Sequence, residues 1–297
     1  MSQHIVVGGA SGLIGSALVK ALQERGDQVS MLVRREAHTA SEIEWDPATG
    51  TLDATKLASA SAVVVLNGAS IGKLPWTRSY REVLYSSRLD PVRTVVQALK
   101  ELGSDSPALI SGSAVGFYGS RPGVELNETA SAGDTFLARL CVAWESEARR
   151  AEAITPVALL RTSPVIHRDG VLKPLLKLTK WGLGGPLGSG KQIWPWISLV
   201  DEVAAILHTI DSQLVGPVNI CGPNRATMRE TGRAVARELH RPYWLPVPTS
   251  ALRLTVGRDV RDSLLTTDAD VQPTALLASG FKFQHPTVSD AIKVALS

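Results

Sequence analysis

The sequence predicts an α/β protein, a doubly wound parallel sheet followed by a smaller, mostly helical C-terminal domain. Three observations carry that expectation. Through the first half of the 297 residues, short apolar runs alternate with segments of helical period, which is the rhythm of parallel βαβ units. The run Ser61 to Leu66 is Val-rich and tightly bounded, as a strand covered on both faces is. After Arg161 the texture changes, and Gly and Pro rise sharply between Lys180 and Trp196.

The elements follow in order. His4 to Val7 reads as a strand, and the stripe Leu13, Ile14, Ala17, Leu18, Ala21, Leu22 as a helix ending at Gly26. Gln28 to Val33 is the next strand, Glu42 to Trp45 a weaker one, and Ser61 to Leu66 the Val-rich one. A long helix is expected over Arg78 to Leu102, then a strand at Ala108 to Ser111, a helix over Asp134 to Ala153 and a strand at Pro156 to Arg161. A helix from Asp201 to Ile210 and a strand at Pro217 to Cys221 return to the sheet. The tail from Thr227 reads as helices joined by Pro-rich turns such as Arg241 to Pro248. These elements place a sheet domain at 1–165, with a return at about 197–222, and a C-terminal domain at 166–297.

Composition excludes several classes. The formal net charge of +3, with no Lys/Arg block, argues against nucleic acid. No apolar run approaches a membrane span, and the N-terminus has no signal-peptide pattern. Two cysteines, Cys141 and Cys221, form no framework, as expected of a cytoplasmic protein. The six histidines show no metal-ligand spacing, so no metal is expected. A monomer or homodimer acting on a small molecule fits this composition.

The stretch "VVGGASGLIG" sets Gly9, Gly12 and Gly15 between the first strand and the first helix. A turn there needs a residue free of Cβ, a pyrophosphate needs close backbone approach, and a helix N-terminus offers unsatisfied N–H groups. Ser11, Leu13 and Ile14 complete that cradle. At the end of the second strand, where an acidic residue would accept from a ribose 2′-hydroxyl, the chain carries Arg34 and Arg35. Guanidinium groups suit a 2′-phosphate, so NADP is expected rather than NAD.

The spacing Gly-x-x-Gly-x-x-Gly resembles that of the short-chain dehydrogenase/reductase superfamily, in particular its extended, epimerase-like branch. "WTRSYREVLYSSRLDPVRTV", "SGSAVGFYG", "FLARLCVAWE", "GLGGPLGSGKQIWPWI", "GPVNICGP" and "HRPYWLPVP" occur in that order. Together they resemble the atypical epimerase family proteins, nucleoside-diphosphate-sugar epimerase-like chains with a short C-terminal domain. The resemblance implies that Asn67, Gly68 and Ala69 form a turn lining the cofactor, with Ser111 and Arg161 also against it. It implies Ser113 as the active-site serine. The superfamily's next helix carries Tyr-x-x-x-Lys, the general acid and the cation that lowers its pKa. Here those places fall on Leu137 and Cys141, or on Phe136 and Leu140. Neither register provides a proton donor. Trp194 stands where sugar-nucleotide enzymes carry an Arg for the diphosphate, and Ser198 stands where the family has His.

Trp181, Trp194 and Trp196 flank the glycine-rich segment and are candidates for an apolar substrate pocket. Three readings stay open. The first is an NADP(H)-dependent, epimerase-like oxidoreductase of a small carbonyl or sugar-like compound. The second is a non-catalytic NADP-binding sensor. The third is a sugar-nucleotide epimerase with a displaced acid, for which Tyr118 is the nearby phenol.

Overall fold

The structure, a computed structural model, describes residues 2–170, 172–186, 188–245 and 267–297. Part of the Pro-rich turn expected at Arg241 to Pro248 therefore lies outside the described residues. Strands β1 (His4–Gly8), β2 (Gln28–Val33), β3 (Glu42–Asp46), β4 (Thr51–Leu52), β5 (Ala62–Val65), β6 (Ala108–Ala114), β8 (Val157–Thr162) and β11 (Gly216–Ile220) form one sheet, in the order β11-β8-β6-β5-β1-β2-β3-β4. The pairs β1–β2, β1–β5, β2–β3 and β5–β6 are parallel, and the two-residue β4 closes the edge antiparallel to β3. The expectation of a doubly wound α/β sheet holds. The order reverses at β1, which neighbours β2 on one side and β5 on the other, and a doubly wound sheet binds its ligand at that point.

Among the described residues the helices are α1 (Leu13–Glu24), α2 (Arg78–Leu102), α3 (Phe136–Arg149), α4 (Lys173–Lys180), α5 (Leu199–Asp211), α6 (Met228–Glu238), α7 (Thr274–Ala278) and α8 (Val288–Leu296). Helix α2 contains Pro91, which is buried, and runs through it. Thr77 caps its start by accepting from the Tyr80 N–H. Two small strand pairs that no hydrophobic period announced also occur among the described residues: β9 (Val165–Ile166) with β10 (Ile197–Ser198), and β7 (Glu125–Leu126) with β12 (Asp270–Val271).

The chain divides into two compact units. The first comprises residues 1–113, 140–160 and 206–218, and the second 114–139, 161–205 and 219–297. The first is built on the sheet. Its core packs Val6, Val63, Val65 and Leu109 against Val92, Val95 and Leu99 of α2 and Trp144 and Ala148 of α3. Trp144 sits over Gly112, where an added Cβ would lie 2.9 Å from the indole, so this glycine is required by the close approach of α3 to the strand. The second unit has a core of Ile166, Leu172, Trp194, Trp196, Met228, Val235 and Ile292. There the Trp196 ring lies against Gly222, which has room for no Cβ, the nearest ring carbon being 2.6 Å from that position.

The second unit also carries a buried cap. Asp201, in the first turn of α5, has no exposed surface. It accepts from the Ser198 hydroxyl at 2.9 Å and from the backbone N–H groups of Gln284 at 2.7 Å and His285 at 3.0 Å. The Ser198 oxygen in turn accepts from the Asp201 N–H at 3.0 Å.

Candidate functional site

Within the first unit, sheet register places the predicted cofactor residues in one row. Leu32 of β2 pairs with Gly8 of β1, Gly8 with Val65 of β5, and Val65 with Ser111 of β6. The residues that leave the sheet just beyond that row are Arg34, the Gly9–Gly15 loop and Asn67 to Ala69, and Ser113 lies two residues further along β6. Neighbouring strands lie about 4.8 Å apart, so the row from β2 to β6 spans roughly 15 Å.

The loop after β1 packs on itself tightly. Gly9 has φ +81, and a Cβ there would meet the Leu66 carbonyl carbon at 2.9 Å. At Gly15 a Cβ would fall 2.2 Å from the Gly9 carbonyl oxygen, whereas at Gly12 it would meet only that oxygen, at 3.3 Å. Gly12 otherwise faces open space, and it is the N-cap of α1 without any side-chain cap. Uncapped N–H groups beside an open glycine face are the arrangement a phosphate occupies. Ser11 and Gly12 are exposed, and Leu13 and Ile14 half-buried. The residues present fit a dinucleotide's pyrophosphate.

The two arginines after β2 differ. Arg35 is bound bidentately to Glu42, through Nη2 to Oε1 at 2.6 Å and Nη1 to Oε2 at 3.0 Å. That hydrogen bonding holds the Glu42 carboxyl down to about 2. Arg34 is exposed and has no hydrogen bond or ion pair among the described residues. The expectation of a paired guanidinium site is thereby narrowed to Arg34, because Arg35 already has a carboxylate.

At the end of β5, the Asn67 Oδ1 is buried with no partner among the described residues. Gly68 carries the guanidinium of Arg88 on its face, since a Cβ there would lie 3.1 Å from Cζ. Arg88 donates to the Ala69 carbonyl at 2.9 Å and lies 5.4 Å from the centre of the Trp144 ring. The neighbouring Ser87 hydroxyl accepts from the Ala69 N–H at 2.9 Å. Burial pushes the Arg88 pKa down. Sequence reasoning missed this residue, because a cation on a long amphipathic helix reads as solvated surface.

Ser111 is buried and donates to the Gly112 carbonyl at 3.2 Å. Ser113 is also buried, and its hydroxyl donates to Glu145 Oε1 of α3 at 2.8 Å. Glu145, with 3% exposure, also has Oε2 at 3.7 Å from Nη2 of Arg149.

In the second unit, Tyr118 has no exposed surface. Its hydroxyl donates to Asn219 Oδ1 at 2.6 Å and accepts from Arg161 Nη1 at 2.8 Å. Burial pushes its phenol up to about 12, and its hydroxyl is held between two buried protein partners. The Arg161 guanidinium stacks on Phe117, 3.6 Å from the ring centre, and donates to the Glu128 carbonyl. It is enclosed by protein partners. The expected aromatic pocket is also divided, since Trp194 and Trp196 are 6% and 1% exposed core residues whereas Trp181 is 77% exposed. Packing of the second unit accounts for the first two. Among the described residues no cluster of three His, Cys, Asp or Glu could hold a metal, and no helix is long and apolar enough to cross a membrane.

Residues 5–221 match the family described as NAD dependent epimerase/dehydratase, and residues 247–295 a domain of unknown function, DUF1731. An epimerase family protein of Mycobacterium leprae is 37% identical over 294 residues, spanning 98% of this chain and 95% of that one. One of Mycobacterium tuberculosis is 38% identical over 294 residues, 98% of this chain and 97% of that one. The crystal structure of human epimerase family protein SDR39U1 (isoform 2) with NADPH superposes with TM-score 0.86 at 27% identity, over 99% of each chain. A nucleoside-diphosphate sugar epimerase of Corynebacterium glutamicum superposes with TM-score 0.80 at 28% identity, over 100% of this chain and 58% of that one.

Proposed function

This chain belongs to the NAD-dependent epimerase/dehydratase family, and we propose that it is an NADP(H)-dependent, epimerase-like oxidoreductase of a small carbonyl or sugar-like compound. The observation that carries the reading is the row in the first unit. An open glycine face at Gly12, an unengaged guanidinium at Arg34 and the orphan Asn67 Oδ1 stand beyond adjacent strand ends. The human relative was crystallised with NADPH, which agrees with the choice of cofactor. Bound there, a nicotinamide cofactor supplies or accepts a hydride.

The chain's own residues have assigned parts. Gly9, Ser11, Gly12, Leu13, Ile14 and Gly15 hold the pyrophosphate, Arg34 the 2′-phosphate, and Asn67 to Ala69 the middle of the dinucleotide, with Ser111 beneath. Ser113 presents its oxygen to the reacting group. On this reading residues 1–165, with the return at 197–222, form the cofactor domain and 166–297 the substrate domain.

On the family resemblance the places of the superfamily's phenol and ammonium fall on Leu137 and Cys141, or on Phe136 and Leu140, all of them buried. That observation favours a second reading, a non-catalytic NADP sensor, over the displaced-acid epimerase whose phenol is enclosed. Calorimetric titration with NADPH and NADH decides the cofactor reading. NADPH is expected to bind more tightly. Arg34→Ala should cost roughly 1.5–3 kcal/mol for NADPH and nothing for NADH, Arg35→Ala should cost far less, and Gly12→Val should abolish binding in a folded chain. Equal affinities for the two cofactors, or an Arg34→Ala variant that loses nothing, sink the reading. Turnover of a carbonyl separates the enzyme from the sensor.

A further inference from the structure

Reduction of a carbonyl by hydride leaves an oxygen that needs one proton, and helix α3 places no acid where the superfamily keeps one. The same helix stripe continues. Leu137, Cys141, Glu145 and Arg149 recur every four residues, so each lies about 6 Å further along the axis than the last. Glu145 is therefore roughly 12 Å from the phenol's place and cannot touch a substrate there. It touches Ser113 instead, at 2.8 Å, with both side chains buried.

We propose that Glu145 is the proton reservoir of this enzyme and acts through Ser113, whose hydroxyl relays the proton between the carboxyl and the substrate oxygen. This rests on the reading of the preceding section, which gives Ser113 the substrate-facing place. The geometry of the carboxyl fits the role, because its two oxygens face different partners. Oε1 accepts from Ser113, and Oε2 lies 3.7 Å from Nη2 of Arg149, whose side chain is 40% exposed. One oxygen meets Ser113, and the other faces the partly exposed Arg149 side chain.

The relay balances. The carbonyl carbon receives a hydride from the nicotinamide cofactor, and the π pair of the C=O bond moves to oxygen. That oxygen takes the proton of the Ser113 hydroxyl, Ser113 takes one from the Glu145 carboxyl, and the carboxylate regains one from solvent past Arg149. The net change is an alcohol formed, the cofactor oxidised and one solvent proton consumed. In the reverse direction the resting arrangement, Ser113 donating to Glu145, already presents the serine oxygen as acceptor to an alcohol. Charged groups along this part of α3 include Arg149 and Arg150 on the same helix and, from α2, Arg88 over the Trp144 ring and Arg93 paired with Glu147. β6 contributes Ser113.

The test uses the full chain. Glu145→Gln keeps the acceptor for Ser113 and removes the titration, and Glu145→Asp keeps the titration at a shifted distance. With NADPH and an unactivated aldehyde, wild-type reduction is expected to fall as pH rises. Glu145→Gln should lose about 10²–10⁴-fold in kcat and lose that pH limb, with NADPH affinity and KM kept. Glu145→Asp should recover part of the rate together with the limb. A quinone, which needs little proton assistance, should be reduced by Glu145→Gln nearly as fast as by wild type. Independently of activity, ¹³C NMR of carboxyl-labelled glutamates should show the Glu145 titration displaced in Ser113→Ala.

A Glu145→Gln variant that keeps rate and pH profile overturns the relay, as does a Glu145 titration unmoved by Ser113→Ala. NADPH binding without aldehyde turnover overturns it too, while leaving the cofactor reading intact. Loss of NADPH binding in the wild type fails the preceding section's reading instead, and the NMR arm then decides whether the two groups are coupled.

Discussion

Glu202 offers a stability test whose size can be worked from its surroundings. It sits in the first turn of α5 with no exposed surface. Its Oε1 accepts from the Thr162 hydroxyl at 2.8 Å, and its Oε2 is buried with no partner among the described residues. Burial pushes the carboxyl from its ordinary 4.5 up to about 8. Because the folded value is raised, the stability linked to this group is fully present below 4.5 and lost as pH rises toward 8. At roughly 1.4 kcal/mol per pH unit, the loss between about pH 5 and about pH 8 is roughly 3–4 kcal/mol. Glu202→Gln keeps the acceptor for Thr162, and its amide N–H₂ replaces the unpaired O–H of the protonated acid, so the neutral states are closely matched. Urea denaturation followed by circular dichroism should find the two proteins similar near pH 5 and the variant more stable near pH 8. A difference that does not change with pH, or a wild type that gains stability on the way to pH 8, refutes the account of a neutral buried acid.

Two further outcomes concern the second unit. Tyr118→Phe should cost about 1–3 kcal/mol in denaturant unfolding, because Asn219 and Arg161 lose a buried partner, and should leave NADPH affinity unchanged. In the wild type the raised phenol's stabilisation is full below its ordinary value of 10 and is lost as pH rises from there toward 12, a limb that Tyr118→Phe should lack. Gly222→Ala drives a methyl into the Trp196 ring and should destabilise by about 1–3 kcal/mol. A thermal melt unchanged from wild type contradicts that packing.

The sheet was readable because its elements have long hydrophobic periods. The strand over Gln28–Val33 and the helix over Arg78–Leu102 fall where their patterns place them. The two-residue pairs β7–β12 and β9–β10 were not readable, since two residues carry no period and their partners are distant in sequence. The glycine loop is legible because its chemistry is local. The difference between Arg34 and Arg35 is not, because it depends on Glu42 reaching back from the next strand. Trp194 and Trp196 share a Gly-rich context with Trp181, and only folding sorts them into core and surface. Glu202 reads as an ordinary acidic residue at a helix start, and its isolation appears only when its neighbours are in place.

The cap at Asp201 bears on how the chain is made. Two of its three acceptor contacts come from backbone far downstream, with His285 lying 84 residues on. Until that stretch leaves the ribosome, the native start of α5 would bury a carboxylate short of its donors, a state that costs several kcal/mol. A nascent chain can therefore assemble its early strands while α5 stays unlocked. Locking the start of α5 therefore waits for Gln284 and His285.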